Sequence, residues 1–223
     1  MKVQLLSHTE NAEVLCATAA KTCYSQGVPS VIMEKVTEEK AGKLIEEVVS
    51  MGHHSVIEHA YYTFSLEGVS RALTHQLVRH RVASFSQQSQ RYVNMLKAEY
   101  VLPPSIEKDP EAKRVFEEAM DNAWEAYQKL AEKMPVEDAR YVLPNACTSN
   151  IMVTMNAREL MHFFSLRCCN RAQWEIREAA ELMLALCQEV SPQIFKDAGA
   201  PCVRGPCTEG KMSCGHPKGK RKP

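Results

Sequence analysis

Residues 60–67 alternate Ala60, Tyr62, Phe64 and Leu66 against Tyr61, Thr63, Ser65 and Glu67, the period-two pattern of a half-buried strand. Elsewhere apolar residues recur at helical spacing. A chain that switches between the two periods is committed to an α+β fold. Residues 37–51 read as a helix capped by Thr37, with Glu38 and Glu39 in its first turn and a stripe of Ala41, Leu44, Ile45, Val48 and Val49. A second helix is predicted from about Ser70 to Arg81. A third starts at Asp109 as cap and Pro110 as first residue, with Val115, Ala119, Trp124, Tyr127 and Leu130 on its apolar side. The stretch IMVTMNARELMHFFSLR predicts a short strand to Met155, then Asn156 capping a helix. RAQWEIREAAELMLALCQEV predicts another, through Ala172, Ile176, Ala179, Met183, Leu186 and Val190. No linker or repeat interrupts the chain before about residue 200, so one mixed domain is expected over 1–200, with a Cys-rich basic tail over 201–223.

The 223 residues, 45% of them hydrophobic, suffice for a substantial core. No run approaches the apolar length of a membrane span, and MKVQLLSHTENAEV lacks a signal-peptide cleavage site, so a cytoplasmic protein with no membrane partner is expected. Basic and acidic residues number 27 each, but residues 204–223 hold six basic side chains against Glu209 alone. The rest carries 21 basic and 26 acidic residues, a net of −5. That mildly acidic body argues against a nucleic-acid partner. Nine cysteines without an export signal read as reduced thiols or metal ligands, and the adjacent Cys168 and Cys169 are poorly placed to bridge each other.

RHRVASFSQQSQR (79–91) concentrates three arginines, a histidine, three serines and three glutamines without a glycine or proline. It is readable as a nucleic-acid patch, as a pocket for phosphate-bearing small molecules, or as a solvated polar face. No GxxxxGK[ST] or GxGxxG is present, so any phosphate must be gripped by side chains, for which the planar arginine fork is suited. On a helix end Arg79 and Arg81 would point about 200° apart, while Gln76 and Arg79 would share a face, an arrangement for two ligands meeting at one helix. Three further clusters stand out: GHHSVIEHA (52–60), DARYVLP (138–144) and NARELMHFFSLRCCNRAQWE (156–175). His54 and Glu58, at i,i+4, are a half-set of metal ligands that no HEXXH motif completes. Ser84, Ser86 and Ser89 lie near His80, but no GxSxG elbow accompanies them.

The form RHRxxSxxxxSxR, together with GHHSVIEH, ARYVLP, MNAREL and RAQWEI along residues 1–195, resembles the flavin-dependent thymidylate synthases, the ThyX family. The resemblance implies a single mixed α+β domain of that type, a small antiparallel sheet packed with several helices. It implies methylation of dUMP to dTMP with methylenetetrahydrofolate as carbon donor and NADPH-reduced FAD as hydride carrier. It also implies a homotetramer whose active sites are shared between subunits. Carried over by position, Arg167 would be the catalytic, activating residue facing the uracil. FAD would be held by Ser55, Arg79, His80, Arg81, Asn156, Ala157, Arg158 and His162, with His53 and Glu58 close to the flavin. Gln76, Leu77, Val78, Arg79, Gln87, Gln88, Ser89, Gln90, Arg91, Arg140 and Arg167 would contact dUMP. Two departures stand against the family pattern: Arg171 takes the place of a histidine found in some relatives, and His162 that of an asparagine or glutamine. The tail residues Cys202, Cys207, Cys214 and His216 admit three readings: a Cys₃His zinc site, a disordered basic tail, or a docking or nucleotide-attracting role.

Overall fold

In the computed structural model, which describes residues 1–95 and 99–219, the period-two stretch forms a strand whose Tyr62, Phe64 and Leu66 are fully buried. The strands β1 (Lys2–His8), β2 (Tyr61–Ser70), β3 (Ala83–Gln87) and β4 (Thr148–Asn156) make a small antiparallel sheet in the order β1-β2-β4-β3. The helices among the described residues are α1 (Ala12–Thr22), α2 (Pro29–Lys35), α3 (Glu38–Ser50), α4 (Arg71–Leu77), α5 (Pro104–Glu107), α6 (Pro110–Ala131), α7 (Val136–Ala139), α8 (Ala157–Arg167) and α9 (Trp174–Val190). The predicted caps form. Thr37 accepts from Lys40 N–H at 3.5 Å, Asp109 from Glu111 and Ala112 N–H at 3.0 and 3.1 Å, and Asn156 from Glu159 N–H at 2.9 Å.

The chain divides into two compact units. One comprises residues 1–2, 66–79 and 86–152, the other residues 3–65, 80–85 and 153–223. In the first, α6 supplies the core through Met120, Trp124 and Tyr127, joined by Cys147 and flanked by Tyr100, Phe116 and Leu143. Val115 and Leu130 are exposed, because the buried stripe of α6 runs through 116, 120, 124 and 127 instead. The same helix ties down the chain that follows the arginine-rich stretch: Trp124 Nε1–H donates to Met95 O at 3.1 Å and Tyr127 Oη–H to Asn94 Oδ1 at 2.9 Å.

The second unit has an aromatic core. Tyr62 meets Phe195 edge-on at 5.2 Å, and Phe164 packs against both Phe163 and Phe195. Tyr62 Oη–H, buried with them, donates to Ser191 Oγ at 2.7 Å, so its one polar atom is satisfied. Strand β4 passes straight into α8 through Asn156, and Ala157 N–H, an orphan donor of the first turn, is taken by Ala60 O at 2.8 Å.

The sequence reading needs correction in three places. The helix expected to reach Arg81 stops at Leu77, so Arg79 and Arg81 are not on a helix and the 200° separation does not apply. Residues 83–87 form the strand β3, with Ala83, Phe85 and Gln87 half-buried against exposed Ser84 and Ser86. Helix α9 starts at Trp174, capped by Gln173, and not at Arg171. In the tail, residues 201–219 form two short 3₁₀ turns, Pro201–Val203 and Gly210–Met212, with Val203 buried and most other residues exposed, and residues 220–223, including the basic 220–222, lie outside the described residues.

Candidate active site

Polar groups are linked along α8, from Arg167 at its C-terminal end through His80 to Glu159 in its first turn. Arg167 Nε–H donates to His80 Nε2 at 3.1 Å, and His80 Nδ1–H donates to Glu159 Oε1 at 3.1 Å. The arginine, which cannot accept, settles the tautomer: Nε2 must offer a lone pair, so the proton sits on Nδ1. The imidazole is therefore neutral and its contact with Glu159 is a hydrogen bond, not an ion pair. Its surroundings enforce that state. Burial, the Arg167 charge and the neighbouring His162 push His80 down to about 4. Burial raises the Glu159 carboxyl and lowers the Arg167 guanidinium, which nevertheless stays a cation at neutral pH. Phe163 lies edge-on to the imidazole at 5.0 Å and His162 at 5.9 Å, so the ring has little room to turn.

A cavity of about 570 Å³ opens along α8 from its N-terminus, bordered by Glu58, Asn156, Arg158, Glu159 and His162, and also by His54, Ser165 and Arg204. Arg158 is ion-paired with Glu58, and both line the cavity. Arginine and histidine donors at a helix N-terminus are the groups that hold a phosphorylated nucleotide, so this donor set fits the anionic part of a flavin dinucleotide. Four of the residues expected at FAD line this cavity. His53 and Ser55 are exposed and do not line it, and Ala157 is fully buried with its N–H spent on Ala60, which leaves it no group to offer. His54 replaces them. The i,i+4 pairing of His54 with Glu58 already marked it, though as a half-set of metal ligands. Among the described residues no three His, Cys, Asp or Glu side chains gather in metal-binding geometry.

The first unit carries a second constellation. Arg91 Nε–H donates to Glu137 Oε2 at 2.9 Å, and Arg140 Nε–H donates to the carbonyl of the same residue at 3.0 Å, so Glu137 positions both arginines. Arg140 and Gln90 border a cavity of about 290 Å³ together with Arg71 and His75, which sequence reasoning overlooked although they stand i,i+4 on α4. Several donors of the arginine-rich stretch are consumed internally. Gln87 Nε2–H donates to Thr74 and Ser149 hydroxyls at 3.0 and 3.1 Å, Gln90 Nε2–H to Cys147 Sγ at 3.0 Å, and Gln88 Oε1 accepts from Asn150 at 3.2 Å. Ser89 Oγ accepts from Arg91 N–H, and Gln76 Nε2–H donates to Ala72 O. Leu77 is fully buried and Val78 exposed, so neither side chain adds a polar contact. Arg79 and Arg81 are exposed and pair with no carboxylate among the described residues.

The profile of the family described as thymidylate synthase complementing protein matches residues 4–193. A flavin-dependent thymidylate synthase of Clostridium tetani is 50% identical over 96% of this chain and 93% of its own. That of Geobacter sulfurreducens is likewise 50% identical, over 96% of this chain and 94% of its own. The chain belongs to the flavin-dependent thymidylate synthase family. A solved structure, a UMP/dUMP methylase PolB from Streptomyces cacaoi bound with 5-Br dUMP, superposes with a TM-score of 0.77 at 26% identity, covering 87% of this chain and 93% of that one. As a flavin-dependent thymidylate synthase the chain has the fold its sequence resemblance implied. Among the described residues no helix is long and apolar enough to cross a membrane.

The family assignment also bears on the thiols. All nine cysteines are free. Burial pushes Cys16 up to about 12 and raises Cys147 and Cys187, so these thiols stay protonated and are poor nucleophiles. Arg171 is ion-paired with Glu209, and the tail thiols turn to their own neighbours. Cys202 Sγ accepts from Lys218 N–H and Cys214 Sγ from His216 N–H, each at 3.4 Å, so Cys202, Cys207, Cys214 and His216 are not assembled as a zinc site.

Proposed function

We propose that this chain converts dUMP to dTMP, with methylenetetrahydrofolate giving the carbon and NADPH the reducing equivalents through bound FAD. The observation that carries the reading is the buried Arg167–His80–Glu159 chain on a scaffold of the flavin-dependent thymidylate synthase family. Arg167 is the activating residue. A guanidinium anchored through Nε is held in one orientation, and facing the pyrimidine it would stabilise negative charge developing at N3 and its carbonyl oxygens. That charge, delocalised into the ring, makes the ring carbon nucleophilic without an enzyme thiolate, in keeping with the protonated cysteines. Neutral His80 contributes orientation: it can accept from Arg167 only while Nε2 is unprotonated, and Glu159 holds it so.

The flavin, when bound, supplies the hydride chemistry. Arg158, His162, Asn156 and Glu58 border its site, with Arg79 and Arg81 available as exposed cations. Gln90, Arg91 and Arg140 take the nucleotide phosphate, and the Glu137 carboxylate that holds Arg91 is displaced by it. Active sites shared within a homotetramer accord with the apolar side chains that stand exposed beside these residues, Val82, Tyr92 and Tyr141. The test is dTMP formation by the purified protein from dUMP, methylenetetrahydrofolate and NADPH, with and without added FAD. Flavin-dependent product is expected. Flavin-loaded, folded protein that makes none would leave a flavin reductase and refute the synthase.

A further inference from the structure

We propose that the C-terminal segment completes the flavin site: Arg204 binds a phosphate of the flavin nucleotide in the cavity at the α8 N-terminus, and the tail is anchored to hold it there. The inference rests on the flavin reading of that cavity. The wall carries two carboxylates, Glu58 and Glu159, and its arginine from the family-matched stretch, Arg158, is already neutralised by Glu58. An anion entering such a site needs a further cation. Arg204 lines the cavity, pairs with no carboxylate among the described residues, and gives Nη1–H only to the neutral Asp197 carbonyl at 3.1 Å. It also borders an adjoining cavity of about 630 Å³, together with His54 and Met161, and so stands on a wall common to both.

The tail is secured at three points around the loop that follows Arg167. Arg171 pairs with Glu209, Asn170 Nδ2–H donates to His216 O at 2.8 Å, and Lys218 pairs with Glu181 on α9. Asn170 is itself held by Arg177, whose Nη1–H donates to its carbonyl at 2.9 Å. Arg204 is itself exposed, but the preceding Val203 is buried near Gly199, which turns at φ 133°, a conformation open to glycine and little else. The segment lies beyond residue 193, where the match to the family profile stops.

The test is titration of flavin-depleted full-length protein with FAD, and separately with riboflavin, followed by flavin fluorescence. Arg204→Gln is expected to weaken FAD about three- to tenfold and leave riboflavin, which has no phosphate, unchanged, with partial recovery in Arg204→Lys. Glu209→Lys is expected to weaken FAD, and Arg171→Glu added to it to restore binding. Unchanged FAD affinity in Arg204→Gln refutes the arginine's role, and an equal loss for riboflavin refutes it as a fold effect. FAD binding that Glu209→Lys leaves intact refutes the anchoring. Wild-type protein that binds no FAD would overturn the flavin reading itself, a result distinct from any change confined to the variants.

Discussion

His80 offers a direct reading of the buried chain, because a neutral imidazole and an imidazolium predict opposite pH dependences. In the folded protein its titration lies near 4, and in the unfolded chain near the ordinary 6.5. Between those values the unfolded state binds a proton that the folded state refuses, so stability falls as pH drops through that window and levels off below it. The gap corresponds to about 3 kcal/mol at 1.36 kcal/mol per pH unit, and with the imidazole only 5% exposed little of it is screened. The measurement is urea unfolding of wild type and His80→Asn at matched concentration between pH 4 and 7.5. Other groups titrate in both proteins, so their difference isolates His80. The stability of wild type relative to the variant is expected to decline by about 3 kcal/mol from pH 7 to pH 4. A difference that grows on acidification would mean a protonated His80 paired with Glu159. Arg167 could then not donate to Nε2, and the proposed tautomer would be wrong.

Three further outcomes follow from the same contacts. Arg167→Lys retains the cation but loses the planar fork and the Nε–H bond to His80, so dTMP formation should fall by about 100-fold or more while absorbance at 450 nm shows flavin still bound. Loss of flavin from that variant would contradict its placement at the pyrimidine. Asn156→Ala removes the α8 cap and should cost about 1 kcal/mol, seen as a fall in Tm of about 2–4 °C, with weaker FAD binding beside it. Glu137→Gln releases Arg91 from a half-exposed ion pair that stabilises the fold little, so Tm should barely move while KM for dUMP falls severalfold; an unchanged KM would take Arg91 away from the phosphate.

The parts of the fold that were legible in the sequence depended on local chemistry. Thr37, Asp109 and Asn156 cap the helices they were read as capping, because a short polar side chain before an apolar repeat has one obvious use for its oxygen. The strand at 61–70 was equally plain from its alternation. Strand β3 was overlooked although ASFSQ alternates too, since its polar residues drew attention as ligands and the apolar pair Ala83 and Phe85 is short for a period to register. The overextended helix before it has a tertiary cause. His80 turns inward to Glu159, 79 positions away, and to Phe163, and nothing local marks that departure.

The candidate site divides along the same line. Residue types exposed a cluster of donors at 79–91 without showing where each donor is spent. In the structure Gln87, Gln88 and Gln90 satisfy Thr74, Ser149, Asn150 and Cys147, so much of the polarity that suggested a ligand is the internal wiring of a strand edge. The arginines behave differently. Arg79 and Arg81 remain exposed, and Arg91 and Arg140 are held by one residue whose carboxylate a phosphate can replace. A glutamine offers both donor and acceptor and is readily absorbed into a fold, whereas a guanidinium has only donors and a permanent charge, and needs an anion to complete it. By that criterion Arg204 belongs with the ligand-binding set, although it lies in a tail whose cysteines are its more conspicuous feature: among the described residues its hydrogen-bond partner is a carbonyl, and the charge remains for an anion to answer.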